Sequence, residues 1–531
     1  MKTVSPKIIL TIAGAFLFNL LFWQEKMAVN LLLFDLFIVC AILKLYPGVL
    51  LKSSARWILS AHVIGIVMVV VYNTLLSKIT AVLTLFFFAA FAEHFHRSIL
   101  FAAGTLLYQA GFMLPAFASL IRAGKPRKTG GHRRMKVLRL LLFPIVLLFF
   151  FFVVYIAGNR AFASISLNVF TALENYFNQF FIKISWERFF FILLGGYLTG
   201  VLIIQNHKVN FADKELSLSD RLIRTRDHKQ GSDISLFNEV IVMFMGNFSR
   251  GMLALKNKNQ VGLISFVLLN GLLLLINITD LLYIWTGNEY GKDKPLSDLL
   301  HEGTGLLIFS IFLAIIVVLF FFNGNLNFYK KNRQLKIAAY IWIIQNAFLV
   351  ASVAIRDYYY ISHLGLAYKR IGVLFFLAVV LAGLASVFLK IYKQKSNYFL
   401  FRLNGNFLLI MLVLASLVNW DVVIARYNIA RIDKIEPDVK FLMRLSDQTL
   451  PVIRQNLGVL SVKCELQNFA FLSQSGADFM TLEEYLAERE RRFISEQKSH
   501  TWLSWNLADA KVISAISGST TVTSQTSAAA N

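Results

Sequence analysis

The apolar residues of this chain come in long runs separated by short polar connections. Runs occupy 8–23, 28–43, 57–76, 79–93, 140–158, 189–205, 261–285, 304–323, 337–355, 371–389 and 403–420. Most are long enough to cross a hydrocarbon core of about 30 Å as helices. The first two are short for that, so their flanking residues must enter the headgroup region. The pattern predicts an all-α protein, a polytopic transmembrane helix bundle of about 11 spans.

Two further apolar stretches are ambiguous, and charge decides how to read them. Residues 98–121 are interrupted by Gly104, Gln109, Gly111 and Pro115, and residues 236–255 hold Asn238, Glu239, Asn247 and Arg250. Between them, 122–139 carries Arg122, Lys125, Arg127, Lys128, Arg133, Arg134, Lys136 and Arg139 with no acid. Short loops rich in Lys and Arg stay on the cytoplasmic side. If 98–121 spanned, this loop would lie outside, together with Lys330–Lys331–Arg333–Lys336 and Lys390–Lys393–Lys395–Arg402. We therefore read 98–121 as interfacial or re-entrant and 236–255 as an interfacial helix. The N-terminus is then cytoplasmic and the C-terminus extracytoplasmic.

The pattern changes after Asp421. Charges of both signs become frequent and apolar residues recur at helical spacing, as in Phe441, Leu442, Leu445, Leu450 and Ile453. Residues 479–497 read as one charged amphipathic helix, with Thr481 as N-cap and Glu484 as its capping-box partner. Four regions follow: an N-terminal membrane region with its basic cytoplasmic loop (1–139), the main bundle (140–420), a small extracytoplasmic helical domain (421–512) and a Ser/Thr/Ala-rich tail (513–531) expected to be disordered.

Composition agrees with a membrane protein. The chain is 57% hydrophobic and 16% charged, against about 25% charged in soluble domains. Its net charge of +23 sits mainly in short loops, not in a folded basic domain, so nucleic acid is not the expected partner. Anionic lipid headgroups are, above all for the basic stretch 122–139. The two cysteines, Cys40 and Cys464, are too far apart in sequence to suggest a disulfide framework or a metal site. The run 8–23 follows Lys2 and Lys7 but precedes Trp23–Gln24–Glu25–Lys26, not a small-residue cleavage site, and reads as an uncleaved span.

Several stretches occur in an order that resembles an uncharacterised bacterial membrane-protein family, one of the domain-of-unknown-function families. They are LLNGLLLLINITDLLYIW (268–285), LHEGTGLLIF (300–309), ASVAIRDYYYISHLGLAYKR (351–370), NWDVVIARYNIAR (419–431), LSDQTLPVI (445–453) and TWLSWNLADAKV (501–512). The first 235 residues share only general hydrophobic character with it. The resemblance implies a multi-pass inner-membrane protein with an extracytoplasmic C-terminal part. It implies no activity, catalytic residue or cofactor.

Candidate site residues come from polar groups in unexpected places. The stretch 351–370 packs Arg356, Asp357, Tyr358, Tyr359, Tyr360, His363, Lys369 and Arg370 into the turn between two spans. By the topology above, His301 and Glu302 open the span 304–323 on the same side, and Trp420, Asp421, Arg426 and Asn428 leave the last span there. One reading is a polar partner- or substrate-binding site formed by Glu302, Arg356, Asp357, Tyr358, His363, Asp421 and Asn428. The other is ordinary interfacial anchoring by aromatics and charges. A Glu302–Arg356 ion pair is expected if the spans are neighbours. Within the runs lie Asp35, His62, Asn270, Asp280, Gln345 and Asn346. An ionisable group at depth costs at least ~2.5 kcal/mol on insertion scales, which makes Asp35 a functional candidate. Asp280 is near enough to its span's end to reach the interface. His94 and His96 point to different faces of a helix and do not predict a metal site.

No nucleophile elbow, zinc-protease helix or phosphate loop is present. The sequence favours a non-enzymatic envelope sensor, scaffold or assembly factor whose 421–512 domain meets an envelope protein. Transport of a small solute or lipid, or an enzyme acting on a lipid-linked substrate, is the alternative. With an outer loop of only Gln24 to Met27, Glu25 has little support for a catalytic role.

Overall fold

In a computed structural model, the apolar runs fold as helices. The structure describes residues 5–123, 144, 147–148, 150–180, 185–204, 211–222, 254–286, 304–322, 325–435, 438–466, 471–472 and 479–528. Eight helices are long and apolar enough to cross a membrane, and two shorter apolar helices join them. The protein is an all-α membrane protein. Among the described residues its one strand pairing is a two-residue ladder, Phe471–Leu472 against Phe479–Met480.

The first bundle contains α1 (Pro6–Phe22), α2 (Val29–Leu45), α3 (Ser53–Tyr72), α4 (Leu75–Glu93) and α5 (Ile99–Ala123). After the amphipathic α6 (Arg160–Phe180), α7 (Trp186–Ile203) returns to pack on α1. That contact is close because it is built on glycine. A Cβ at Gly14 would meet Thr199 at 2.4 Å, and one at Gly195 would meet Phe18 at 2.6 Å. Small residues let backbones approach in lipid, where apolar burial alone gives helices no reason to associate. Phe18, Phe34, Ile38, Ile42, Ile58 and Phe88 form the core of this bundle.

A short helix, α8 (Phe211–Leu216), precedes the second bundle. The bundle is formed by α9 (Ala254–Asp280), α10 (Thr304–Phe321), α11 (Arg333–Leu364) and α12 (Tyr368–Tyr392). Next, α13 (Asn397–Ser416) ties the bundles together, placing Leu409 in the first core and Leu400 in the second.

The rest of the chain folds over one end as a cap. Its helices are α14 (Trp420–Ile429), α15 (Val439–Met443), α16 (Leu450–Gln455), α17 (Leu457–Leu466), α18 (Leu482–Ser499) and α19 (Leu507–Ala528). The predicted capping box at Thr481 and Glu484 is present. Ile424, Leu442, Leu450, Ile453, Leu486 and Phe493 form the cap core, and Ile371 of α12 belongs to the same cluster, so cap and bundle share a core.

Two expectations change. Residues 99–121, expected to be interfacial or re-entrant, lie in one unbroken helix, α5, with Pro115 inside it rather than ending it, so the chain does not turn back within this stretch. The tail expected to be disordered after Ile513 continues α19 as far as Ala528. Val512 and Ile516, four residues apart on one face, are buried in the cap core, and that anchor carries the helix onward. The expected run 140–158 is only partly described, and nearly all of 236–255 lies outside the described residues.

Candidate functional site

The α11–α12 turn is gripped from the cap by one side chain. The backbone N–H of Leu366 donates to Asn428 Oδ1 at 2.6 Å, and Asn428 Nδ2 donates to the Leu366 carbonyl at 2.9 Å. Asn428 is itself buried. Gly365 turns the chain with φ +81°, and a Cβ there would meet Asn428 Oδ1 at 2.5 Å. Only glycine serves both needs. Arg370 reaches back to the carbonyls of Leu364 (2.9 Å) and Gly365, closing the C-terminus of α11 with a cation. Its guanidinium also lies over the Tyr360 ring, 5.7 Å from the centroid. Tyr368 donates to Asp421 at the start of α14.

Below this turn, α9 and α11 run parallel and are joined by a polar ladder. Asn270 Nδ2 donates to the Ala338 carbonyl (2.9 Å), Gln345 Nε2 to Asn270 Oδ1 (3.1 Å) and Asn277 Nδ2 to the Gln345 carbonyl (3.2 Å). The ladder ends in a buried ion pair between Arg356 and Asp280. Just beyond it α9 widens into a π-helical segment, Leu281–Trp285. There Trp285 stacks on Phe348 at 4.8 Å and donates to Ser352 at 3.0 Å. A widened helix beside a buried ion pair is a common setting for functional sites.

The family model for a domain of unknown function, DUF4153, matches residues 12–456. The chain belongs to the DUF4153 family. No curated protein and no solved structure matches it. The DUF4153 match reaches far into the N-terminal region, where the sequence shows only general hydrophobic character. It stops short of 501–512.

In this DUF4153 chain the structure gathers only some of the predicted site residues. Arg356 and Asp357 share the last turns of α11, Asn428 and Asp421 meet the adjoining turn, and one Asp357 carboxylate oxygen is buried without a hydrogen-bond partner. Tyr358 is 65% exposed, and His363 Nδ1 bonds locally to the Tyr359 carbonyl. Glu302 and His301 lie outside the described residues. The acid found on Arg356 is Asp280, the last residue of α9 before its π-helical extension, and it is buried rather than reaching the interface. Asp35 sits apart, in the first bundle, facing His62 at 3.6 Å.

Other functional contacts gave no sequence signal because they join distant segments. Glu25 has the support its short loop could not supply: Ser504 Oγ donates to it at 2.5 Å and the Thr501 N–H at 3.2 Å. Lys26 pairs with Glu496 at 2.9 Å. Gln448 donates to the Tyr72 carbonyl at 2.8 Å and accepts from Asn419 at 2.5 Å. At the uncapped end, fully buried Glu215 accepts from His96 Nδ1 (2.9 Å), the Arg97 N–H (3.1 Å) and Tyr398 (2.7 Å). Asp220 bridges Arg97 and Arg402 beside it. Among the described residues no group of three or more His, Cys, Asp or Glu could hold a metal ion.

Proposed function

We propose that the protein is a non-enzymatic membrane sensor or scaffold whose cap couples its two bundles to a partner in the cell envelope. The observation that carries this reading is the set of cap contacts. Asn428 holds the α11–α12 turn, Gln448 the α3–α4 turn, and Ser504 with Glu496 the α1–α2 turn. One domain thus bonds turns from both bundles, so a displacement of any of these hairpins is felt by the cap. The cap also carries exposed apolar side chains away from its core, Val459 and Val462 on α17. These supply a contact surface for a protein partner.

The proposed setting is the bacterial inner membrane, with the N-terminus cytoplasmic and the cap outside. Lys44, Lys52, Arg56, Arg97, Arg333, Lys393, Lys395 and Arg402 belong to the uncapped end, which supports that orientation. The basic stretch 122–139 is proposed to lie on anionic headgroups on the cytoplasmic side, with α5 lying along that interface rather than crossing.

The test places a photo-crosslinking side chain at Val462 or Arg492 of the full-length protein in its native membrane. A discrete protein adduct shared by both positions is expected. Adducts to lipid alone, together with a small solute that raises the melting temperature of the purified protein, would overturn the reading in favour of transport.

A further inference from the structure

Asp35 on α2 and His62 on α3 face each other inside the first bundle, each 2% exposed. His62 Nε2 is 3.6 Å from Asp35 Oδ2, within about 0.7 Å of hydrogen-bond length. The other ring nitrogen fixes the tautomer. His62 Nδ1 lies 3.1 Å from the Ala81 carbonyl and 3.2 Å from Thr84 Oγ1. The carbonyl can only accept. Thr84 gives its own proton to the Thr80 carbonyl, at 2.6 Å, so its oxygen also faces Nδ1 as an acceptor. Nδ1 therefore carries a hydrogen, and in a neutral ring Nε2 is a bare lone pair aimed at the carboxyl group.

Neither Asp35 oxygen has a hydrogen-bond partner. An ionised carboxylate against a lone pair, with no donor, would be a buried charge compensated by nothing. One added proton resolves this. It sits either on Asp35, which then donates to Nε2, or on Nε2, which makes an imidazolium–carboxylate pair. Both forms have zero net charge and differ only by a proton transfer along one line.

We propose that Asp35 and His62 form a membrane-embedded site that binds a single exchangeable proton. Releasing it leaves one negative charge among Phe34, Ile38, Ile58 and Ile66, so the empty site favours separation of α2 from α3 and entry of water. Proton occupancy is thereby coupled to packing of the first bundle. Other ionisable side chains on the packed helices do not take over the role. Lys7, Lys44, Arg56, Tyr72, Lys78, Glu187, Arg188, Tyr398, Arg402, Asp509 and Lys511 belong to the first two or last two turns of α1, α2, α3, α4, α7, α13 and α19. Cys40 is exposed, and the Tyr197 hydroxyl donates to the Ala110 carbonyl at 2.9 Å. The proposal does not depend on the cap or its partner.

The experiment counts protons on the pair in the full-length protein in lipid nanodiscs. Infrared spectra of protein with isotope-labelled aspartate report Asp35, and nuclear magnetic resonance of labelled histidine reports His62. At neutral pH we expect either a carboxylic-acid band absent from Asp35→Asn or an imidazolium signal absent from His62→Gln. Raising the pH should remove one proton in a single step that Asp35→Asn lacks and that His62→Gln shifts. A carboxylate at Asp35 beside a neutral His62 at neutral pH would overturn the proposal, as would two protons leaving in separate steps. If a variant fails to fold, isotope dilution in the wild type gives the same count.

Discussion

Replacing Arg356 by Met tests whether the α9–α11 ladder ends in a true buried ion pair. The Asp280 side chain is 5% exposed and that of Arg356 14%. One Asp280 oxygen already lacks a hydrogen-bond partner, and Arg356 is the partner of the other. Losing the guanidinium therefore strips the carboxylate of its whole compensation. A buried pair broken on one side costs about 3–5 kcal/mol, an exposed one about 0–1. These exposures place this pair near the buried limit. Protonation of Asp280 caps the loss, so we expect about 3 kcal/mol, roughly a hundredfold in the folding equilibrium.

Asp280→Asn should cost less, about 1–2 kcal/mol, because its amide oxygen still accepts from Arg356 and the long Arg side chain can turn toward water. The double change Asp280→Leu with Arg356→Met should fall near wild type, since no charge is left buried. Equilibrium unfolding in mixed micelles, run as a double-mutant cycle with the corresponding single changes, gives the coupling energy. An ordinary interhelical hydrogen bond contributes about 0.6 kcal/mol in a membrane protein. A coupling at or below that value would refute the buried-pair argument and return Arg356 to the role of interfacial anchor.

Three other outcomes follow from the cap. Gly365→Ala combines a left-handed backbone with a methyl group 2.5 Å from Asn428 Oδ1, and should destabilise the α11–α12 turn by about 2–3 kcal/mol, seen as faster hydrogen exchange at 364–368. Arg489 is buried and donates to Asp447 (2.6 Å), the Met443 carbonyl (2.7 Å) and the Leu445 carbonyl (2.5 Å); Arg489→Lys should lose about 2 kcal/mol in thermal unfolding, because one ammonium cannot reproduce the fork. At Glu25, burial pushes the carboxyl up, but the bonds from Ser504 and Thr501 and the nearby His500 outweigh it and hold it below its ordinary value; the bond from Lys26 holds Glu496 down as well. A depressed acid stabilises docking above its unfolded value, near pH 4.3, and loses that contribution as pH falls through the lower folded value. Hydrogen exchange at 500–504 should therefore accelerate in that acidic window, and Glu25→Gln should remove most of the step.

The spans were legible because lipid imposes length on them, and ten of the eleven predicted runs have a helix close to their expected position. The helix α18 was legible for a local reason, its capping box. The junction at 351–370 stood out because it spends charged and aromatic residues on a connection that a Gly and a few polar groups could make. What could not be read were the partners. Asp280 and Arg356 are 76 positions apart, and Glu25 and Ser504 are 479 apart. Periodicity places a residue on a face of its own helix but does not say which helix that face meets. The same limit hid the Asp35–His62 contact, although both residues were conspicuous as polar groups in apolar runs.

Hydrogen-bond satisfaction separates the buried polar residues by what they do. Glu215 is an acid with no exposed side-chain surface, yet it receives three donors from two other segments. Its burial is fully compensated, and its role is to fasten α8 to the ends of α4 and α13. Glu215→Ala should orphan those donors at about 1–3 kcal/mol each, least for groups that find water, and the measurable result is loss of thermal stability with release of 211–222 to proteolysis. Asp35 is buried to a similar degree but receives no hydrogen bond. Removing it takes away a polar group whose one partner, His62, lies beyond hydrogen-bond length at 3.6 Å, so Asp35→Leu should raise the melting temperature. Opposite signs for the two acids would show that Glu215 belongs to the architecture and that Asp35 persists at a cost in stability. A drop in melting temperature for Asp35→Leu as large as that for Glu215→Ala would place both acids among the fastenings of the fold.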